Sequence, residues 1–143
     1  MGDDADKPRA QRASKDADYH VEALRRRAER ESTQAQVLID RFLIQASEAR
    51  LATEELTARP WSGRGRYRTG VVGWYLRRDR SIGLGVDGRY YVLVVPPVRF
   101  GRWRTVRAHP SAPPLQVGQG ARDGESISLE ALLQLRLNSW EAP

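Results

Sequence analysis

The amino-acid sequence predicts an α+β fold in which a long N-terminal helix packs on a small three-stranded antiparallel meander, followed by a short C-terminal helix. Three observations lead to this prediction. Apolar residues recur at spacings of three and four from position 21 onward, three apolar runs separated by turn residues lie between positions 71 and 95, and a leucine-rich stripe lies near the end of the chain. Because 40% of the 143 residues are apolar, we expect one modest core and a single domain over residues 18–140.

We place the first helix at residues 18–51. Within it, residues 37–46 are apolar over so wide an arc that we expect them to be covered on more than one side. A helix of this length extends for roughly 50 Å, which is more than a domain of this size can cover. We therefore expect its first half to project, to fray or to pair with a second chain. Residues 1–17 are polar and charged in both signs, which predicts a disordered tail.

The strands of the predicted meander are short apolar runs. Asp87 and Gly88 form a two-residue turn signal before the third strand, because Asp-Gly readily adopts the positive φ angles of a type I′ turn. Pro96 and Pro97 end that strand, since neither can donate a ladder hydrogen bond. The three predicted strands cover residues 71–76, 81–86 and 89–95.

Gly83, Gly85 and Gly88 have the G-x-G-x-x-G spacing of loops that bind nucleotide phosphates. A dinucleotide fingerprint needs a helix after these glycines, whereas a strand is predicted here. A two-residue turn instead places Tyr90 opposite Gly85, and carrying the register across the preceding turn at residues 77–80 places Trp74 opposite Gly83. Each glycine then leaves room for an aromatic ring. We therefore interpret the motif as structural and predict no bound cofactor.

The last part of the chain is predicted to be loops over residues 99–124, with one short strand around Leu115–Val117, and a helix over residues 126–137. Ser128 is the predicted N-cap of this helix. The glycine-rich segment 118–124 precedes it, so backbone N–H groups there could hold an anion, although an ordinary polar connection is the interpretation that we favour. The predicted buried stripe of the helix comprises Leu129, Leu132, Leu133 and Leu137.

Composition argues against several classes of function. The chain has no cysteine and only two histidines, His20 and His109, which lie far apart and form no zinc-binding spacing. No nucleophile motif surrounds any serine, and no apolar run is long enough to cross a membrane. We therefore expect a cytoplasmic binding protein that is not an enzyme, with no metal and no membrane partner.

The positive charge is concentrated in the middle of the chain. Residues 59–107 contain twelve basic and two acidic side chains, and all twelve basic ones are arginine. Arginines bind phosphates and aromatic rings stack on bases, so this composition favours a polyanion partner, either a nucleic acid or an anionic protein surface such as that of a ribonucleoprotein. The candidate binding residues are Arg64, Arg66, Tyr67, Arg68, Arg77, Arg78, Arg80, Arg102, Trp103, Arg104 and Arg107.

The alternative function is that of a protein–protein adaptor or regulatory subunit that forms a homodimer through its first helix. The excess length of the helix favours this alternative, whereas the alanines and Glu31 on the same stripe weaken it. The candidate self-association residues are Val21, Leu24, Ala28 and Ala35.

Overall fold

The structure is a computed structural model that describes residues 8–118 and 125–140. Helix α1 (Arg9–Glu48) comes first and helix α2 (Leu129–Leu137) last, and a 3-10 helix (Gly101–Trp103) lies between the fifth and the sixth strand. The strands in chain order are β1 (Glu54–Pro60), β2 (Tyr67–Tyr75), β3 (Ile82–Gly85), β4 (Tyr90–Val92), β5 (Val94–Val95), β6 (Pro110–Ser111), β7 (Gln116–Gly118) and β8 (Ser126–Ser128).

The fold is α+β, as predicted, but the main sheet is a mixed sheet of six strands and not a three-stranded meander. The strand order is β5-β1-β2-β3-β4-β6, while β7 and β8 form a separate antiparallel pair. The predicted meander corresponds to β2, β3 and β4. The prediction missed β1 because the apolar–polar alternation in its sequence, "EELTARP", rests on only Leu56 and Ala58 ahead of Pro60. This segment becomes a strand by pairing with β2 from Glu54 to Ala58, so tertiary context outweighs its weak intrinsic propensity.

The sheet closes on itself through the chain from Tyr90 to Val95. The first part of this chain pairs antiparallel with β3, and the second part pairs parallel with β1. Leu93 is the corner between the two parts: its N–H donates to the Ser81 carbonyl (2.8 Å), and its carbonyl accepts from the Arg59 N–H (2.8 Å). Strands β1 to β5 therefore form a small closed barrel.

Two apolar clusters lie on opposite sides of the barrel wall. The helices cover the outer cluster, in which Phe42 of α1 meets Trp74 of β2 edge to face, with ring centroids 5.5 Å apart. The interior cluster is formed by side chains that point away from the helices, namely Leu56, Ala58, Tyr75, Tyr91 and Leu93. Strand β3 is buried on both faces, whereas β1 buries only alternate residues, which face the interior cluster.

The hairpin between β3 and β4 has a three-residue loop, so the predicted two-residue turn is wrong. The Gly85 N–H donates to the Arg89 carbonyl (2.9 Å), which leaves Val86, Asp87 and Gly88 in the loop. Gly88 has a φ of 82°, as expected for the left-handed third residue of such a loop. The register of β3 against β4 is therefore displaced by one residue from the predicted register.

The register of β2 against β3 is displaced by one residue as well, and this displacement moves the glycines of β3 to the face of the sheet opposite to Trp74. Gly83 lies opposite Tyr75 on one side and Tyr91 on the other, not opposite Trp74. Because side chains alternate along a strand, a slip of one residue exchanges the two faces. A Cβ atom on Gly83 would lie 2.7 Å from Leu56 Cδ1, so this glycine makes room for the barrel interior.

Helix α1 begins at Arg9, within the segment that was predicted to be disordered, and ends at Glu48. Its end is a Schellman motif, in which the Leu51 N–H donates to the Ala46 carbonyl (2.9 Å) and Arg50 adopts a φ of 52°. The buried residues of α1 all lie in its second half: Ala35, Ile39, Phe42 and Ala46. The first half therefore extends beyond the barrel.

Helix α2 confirms the predicted C-terminal helix and its N-cap. The Ser128 hydroxyl accepts a hydrogen bond from the Ala131 N–H (3.1 Å). After the helix, the Trp140 N–H donates to the Leu135 carbonyl (2.6 Å), and the Trp140 ring lies 4.3 Å from the Arg136 guanidinium. Arg136 also donates to the Tyr75 carbonyl (2.8 Å), which ties α2 to β2.

Gly73 is the position where the barrel wall tolerates a side chain least. A Cβ atom there would lie 1.9 Å from the Leu84 carbonyl oxygen, which is backbone and cannot rotate away. We expect Gly73→Ala to lower the free energy of unfolding by about 3 kcal/mol or more, because β2 and β3 must separate. The matched control is Gly63→Ala, where a Cβ atom meets nothing within 4 Å, and a change of no more than about 0.5 kcal/mol is expected. Equal losses for the two variants in urea unfolding would contradict this close approach.

Burial raises the pKa of the Tyr90 hydroxyl to about 12, although the charge of Arg77 opposes the shift. In the unfolded chain this pKa is about 10. Between pH 10 and pH 12 the unfolded chain therefore loses the proton while the folded chain keeps it, so stability falls as the pH rises. Urea unfolding at pH 9 and pH 11 should show a larger loss of stability for the natural chain than for Tyr90→Phe. Parallel losses in the two proteins would refute the buried hydroxyl as the cause.

Candidate functional site

The predicted polyanion-binding residues fall into two groups that lie at the two ends of β2. The nine residues of this strand span roughly 30 Å if fully extended. One group follows the strand, namely Arg77, Arg78 and Arg80. The other precedes or begins it, or lies on the loop packed there, namely Arg64, Arg66, Tyr67, Arg68, Arg102, Trp103, Arg104 and Arg107. The structure thus brings most of these residues to one end of β2.

The contacts of Tyr67 join the second group together. Its ring packs on the backbone of Gly101, where a Cβ atom would lie 2.6 Å from Tyr67 Cε1. Its hydroxyl accepts a hydrogen bond from the Val98 N–H (3.1 Å). These contacts fix the loop around the 3-10 helix against the start of β2.

Two further contacts join this loop to β2 and to the β1–β2 connection. The Val106 N–H donates to the Arg68 carbonyl (2.7 Å), beside a single β-bridge between Arg68 and Thr105. A Cβ atom on Gly65 would lie 3.1 Å from Arg102 Nε, so the Arg102 side chain lies against the β1–β2 connection. Arg64, the residue before Gly65, therefore lies next to the same loop.

We name the exposed part of this region the arginine–aromatic surface and define it as Arg64, Arg68, Phe100, Arg102, Trp103 and Arg104. Trp103 is 76% exposed and Phe100 is 60% exposed, and their ring centroids are 5.9 Å apart at an interplanar angle of 43°. A shallow groove beside the rings is lined by Arg68, Arg102, Trp103, Arg104 and Thr105. The surface thus presents two aromatic faces among four guanidinium groups.

The charge of this surface is not neutralised within the described part of the chain. None of its arginines forms an ion pair with a carboxylate of residues 8–118 or 125–140. The two acidic residues of the middle third, Asp79 and Asp87, lie in hairpin turns. Asp87 accepts a hydrogen bond from the Arg89 N–H (3.0 Å).

Asp79 is held ionised by its own turn. Partial burial favours the protonated form, but the hydroxyl (2.6 Å) and the N–H (3.0 Å) of Ser81 donate to its carboxylate, and the charges of Arg77 and Arg59 add to their effect. The result is a pKa below the usual value for aspartate. The ionised Asp79 carboxylate therefore offsets the positive charge of arginines that lie outside the arginine–aromatic surface.

Two of the predicted residues lie beneath the surface. Tyr67 is buried, so its ring supports the loop from below. The Arg66 guanidinium donates to the hydroxyl and to the carbonyl oxygen of Thr57 and is only partly exposed. Phe100 was not among the predicted residues. The signal that could have identified it is the sequence "RFGRWR", in which two aromatic residues alternate with three arginines.

The arginines that follow β2 make contacts within the molecule. Arg77 donates to the Gly118 carbonyl, and Arg78 donates to the Trp140 carbonyl (2.6 Å). The Arg80 guanidinium lies 5.6 Å from the centre of the Tyr75 ring. These contacts hold β7, the end of α2 and the β2–β3 turn together, so we do not include the three arginines in the arginine–aromatic surface.

The structure separates the predicted self-association residues into exposed and buried ones. Val21 is 64% exposed and Leu24 is 63% exposed, and Ala28 is exposed as well, whereas Ala35 is fully buried against the barrel. The free stripe therefore ends near Glu31, whose carboxylate accepts a hydrogen bond from the Leu115 N–H (2.9 Å).

The remaining sequence motifs have these positions. Gly83 and Gly85 lie inside β3 and Gly88 in the following loop, while residues 119–124 of the second glycine cluster lie outside the described residues. His20 and His109 are both exposed. Over residues 8–118 and 125–140, no group of three or more histidine, aspartate or glutamate side chains could hold a metal ion. No helix in the same ranges is long and apolar enough to cross a membrane.

Comparison of the chain with known protein families, with curated proteins and with solved structures finds no match.

Proposed function

We propose that this protein is a non-enzymatic binding module that holds a polyanion, either a nucleic acid or a ribonucleoprotein, on the arginine–aromatic surface. The observation that carries the proposal is the 76% exposure of Trp103 in the midst of arginines that have no carboxylate partner among the described residues. Arginine binds phosphate oxygens in a bidentate manner, and an exposed aromatic ring offers a face for stacking.

The local charge supports the same proposal. Only two acidic residues accompany twelve arginines between positions 59 and 107, and both carboxylates belong to turns. A surface of uncompensated arginines attracts polyanions over distances of about a Debye length and releases their counterions on binding. Binding through such a surface must weaken steeply as salt is added.

We expect the chain to bind labelled oligonucleotides with an affinity that falls linearly on a plot of log K against log salt concentration. The triple variant Arg68→Ala, Arg102→Ala, Arg104→Ala removes three phosphate-binding groups, so the slope should become shallower by about 2 to 3. Fluorescence anisotropy over a series of salt concentrations measures this slope.

The matched control removes the same charge from helix α1, as Arg12→Ala, Arg26→Ala, Arg30→Ala. All three of these arginines are exposed. We expect a much smaller change of slope for the control. An equal change in both variants would show that net charge, and not the arginine–aromatic surface, decides binding, and no binding at low salt would rule out the proposed function.

Self-association through the first half of α1 is a second candidate function. It is favoured because an apolar stripe on the projecting helix, with Val21 and Leu24, continues into the stripe that the barrel covers from Ala35 onward. In an antiparallel pair that packs Val21 on Leu24 of a second copy, Asp18 would face Arg25 of that copy, and the same contact would recur across the two-fold axis.

The natural chain has no cysteine, so introduced cysteines report this geometry directly. A mixture of Val21→Cys and Leu24→Cys proteins should form a mixed disulfide dimer under mild oxidation faster than either protein forms a disulfide alone. Arg26→Cys, on an exposed position outside the stripe, is the control and should cross-link slowly. A strictly monomeric mass by light scattering at high concentration would exclude self-association.

A further inference from the structure

We infer that the arginine–aromatic surface takes a single-stranded nucleic acid, with a base stacked on the Trp103 ring and the phosphates on the arginines that line the groove. This inference rests on the proposed function and narrows it to one class of polyanion. Three properties of the surface carry it: the rigidity of the aromatic pair, the shape of the backbone that presents it, and the residues around the rings.

The aromatic pair stands on a fixed platform. The Gly101 N–H donates to the Val98 carbonyl (3.1 Å) and the Trp103 N–H donates to the Phe100 carbonyl (3.1 Å), which forms the single turn of 3-10 helix. Below this turn the buried Tyr67 ring fills the space that a side chain at position 101 would need. A backbone held in place before binding loses little freedom when a base stacks on a ring that it carries.

Phe100 adds evidence that this turn is constrained by its surroundings. It has a φ of 58°, a left-handed conformation that a bulky side chain rarely adopts. Its ring is nevertheless 60% exposed, with the Arg99 guanidinium 5.1 Å from the ring centre. Strained residues persist where the surrounding structure dictates their conformation, and they cluster at binding sites.

The shape of this region suits a single strand better than a duplex. Duplex bases are read in the major groove by an α-helix or a two-stranded ribbon, and here the aromatic side chains lie on one turn of 3-10 helix and the residue before it. In a single strand the bases are unstacked and can place their faces on exposed rings, while the backbone follows a basic groove. The groove beside Trp103, lined by Arg68, Arg102 and Arg104, matches this arrangement.

The neighbours of the rings favour a nucleic acid over an anionic membrane surface. A segment that lies in a membrane interface needs a continuous apolar face. Phe100 and Trp103 instead alternate with Arg99, Arg102 and Arg104 along the chain. Each ring is therefore flanked along the chain by arginines rather than by further apolar side chains.

The test uses the full chain with four ligands at equal salt: a twenty-nucleotide dT strand, an abasic strand with the same phosphates, a duplex of equal length, and heparin. The natural chain should bind the dT strand about tenfold more tightly than the abasic strand and the duplex. Trp103→Ala should lose about tenfold on the dT strand, leave the salt slope unchanged and abolish the preference over the abasic strand. Trp103→Phe keeps a ring and should retain most of that preference.

Tyr19→Ala is the matched control, because it removes an aromatic ring of similar exposure from helix α1 and should leave binding unchanged. Circular dichroism checks that each variant is folded. We expect both variants to fold, because both side chains are exposed. Equal affinity of the natural chain for the dT strand, the abasic strand and heparin would overturn the inference and leave the proposed polyanion binding intact. Absence of binding to all four ligands would overturn both. Phosphatidylserine vesicles are a separate membrane control at the same salt concentration, and tighter binding to them than to the dT strand would also overturn the inference.

Discussion

The rest of the structure depends on the backbone of Leu93, where the chain stops pairing with β3 and begins to pair with β1. Its N–H bonds to the β3 side of the barrel and its carbonyl bonds to the β1 side, and its side chain is fully buried. This corner converts an open row of strands into a closed barrel, because β4 pairs with β3 and β5, which continues from β4, pairs with β1. Closure also removes unpaired strand edges that would otherwise invite aggregation.

The closed wall determines where the site lies. Pro96 and Pro97 cannot extend the ladder, so the chain leaves the barrel at this point and returns across the start of β2. There the loop meets Tyr67, and the fit of its ring against Gly101 sets the height and direction of the 3-10 helix. The exposure of Trp103 therefore depends on the packing of Tyr67 against Gly101 and cannot be inferred from the residues next to Trp103 in the sequence.

Elements whose signals are contiguous in the sequence were predicted correctly, whereas the pairing of distant segments was not. The α2 helix was predicted with its N-cap, because Ser128 and the leucine stripe are contiguous in sequence. The register of β3 was wrong by one residue, because Asp87-Gly88 fits both a two-residue turn and the end of a three-residue loop. The register of β2 against β3 was wrong by one residue as well, because Leu76 pairs with Ile82 and the turn between them is one residue longer than predicted. The prediction therefore placed Gly83 opposite Trp74 instead of Tyr75.

The candidate site likewise has features that the sequence predicts locally and features that depend on distant residues. Composition identified the arginines and Trp103, since charge and aromatic content can be counted along the chain. It could not separate exposed from buried members, because the burial of Tyr67 depends on Gly101, a residue more than thirty positions away. It also grouped Arg78 with the site, although a hydrogen bond to the Trp140 carbonyl assigns that arginine to the packing of α2.

The two candidate functions lie on separate parts of the molecule and are compatible. The barrel uses only the second half of α1, from Ala35 to Ala46, so the first half is free to serve another purpose without loss of core packing. If two copies paired through the free stripe, one polyanion could contact two arginine–aromatic surfaces, and the second contact would be intramolecular. Linked contacts of this kind raise overall affinity well above that of one surface, provided that the polyanion is long enough to reach both. Apparent affinity would then increase more steeply with oligonucleotide length for the natural chain than for a variant that cannot pair.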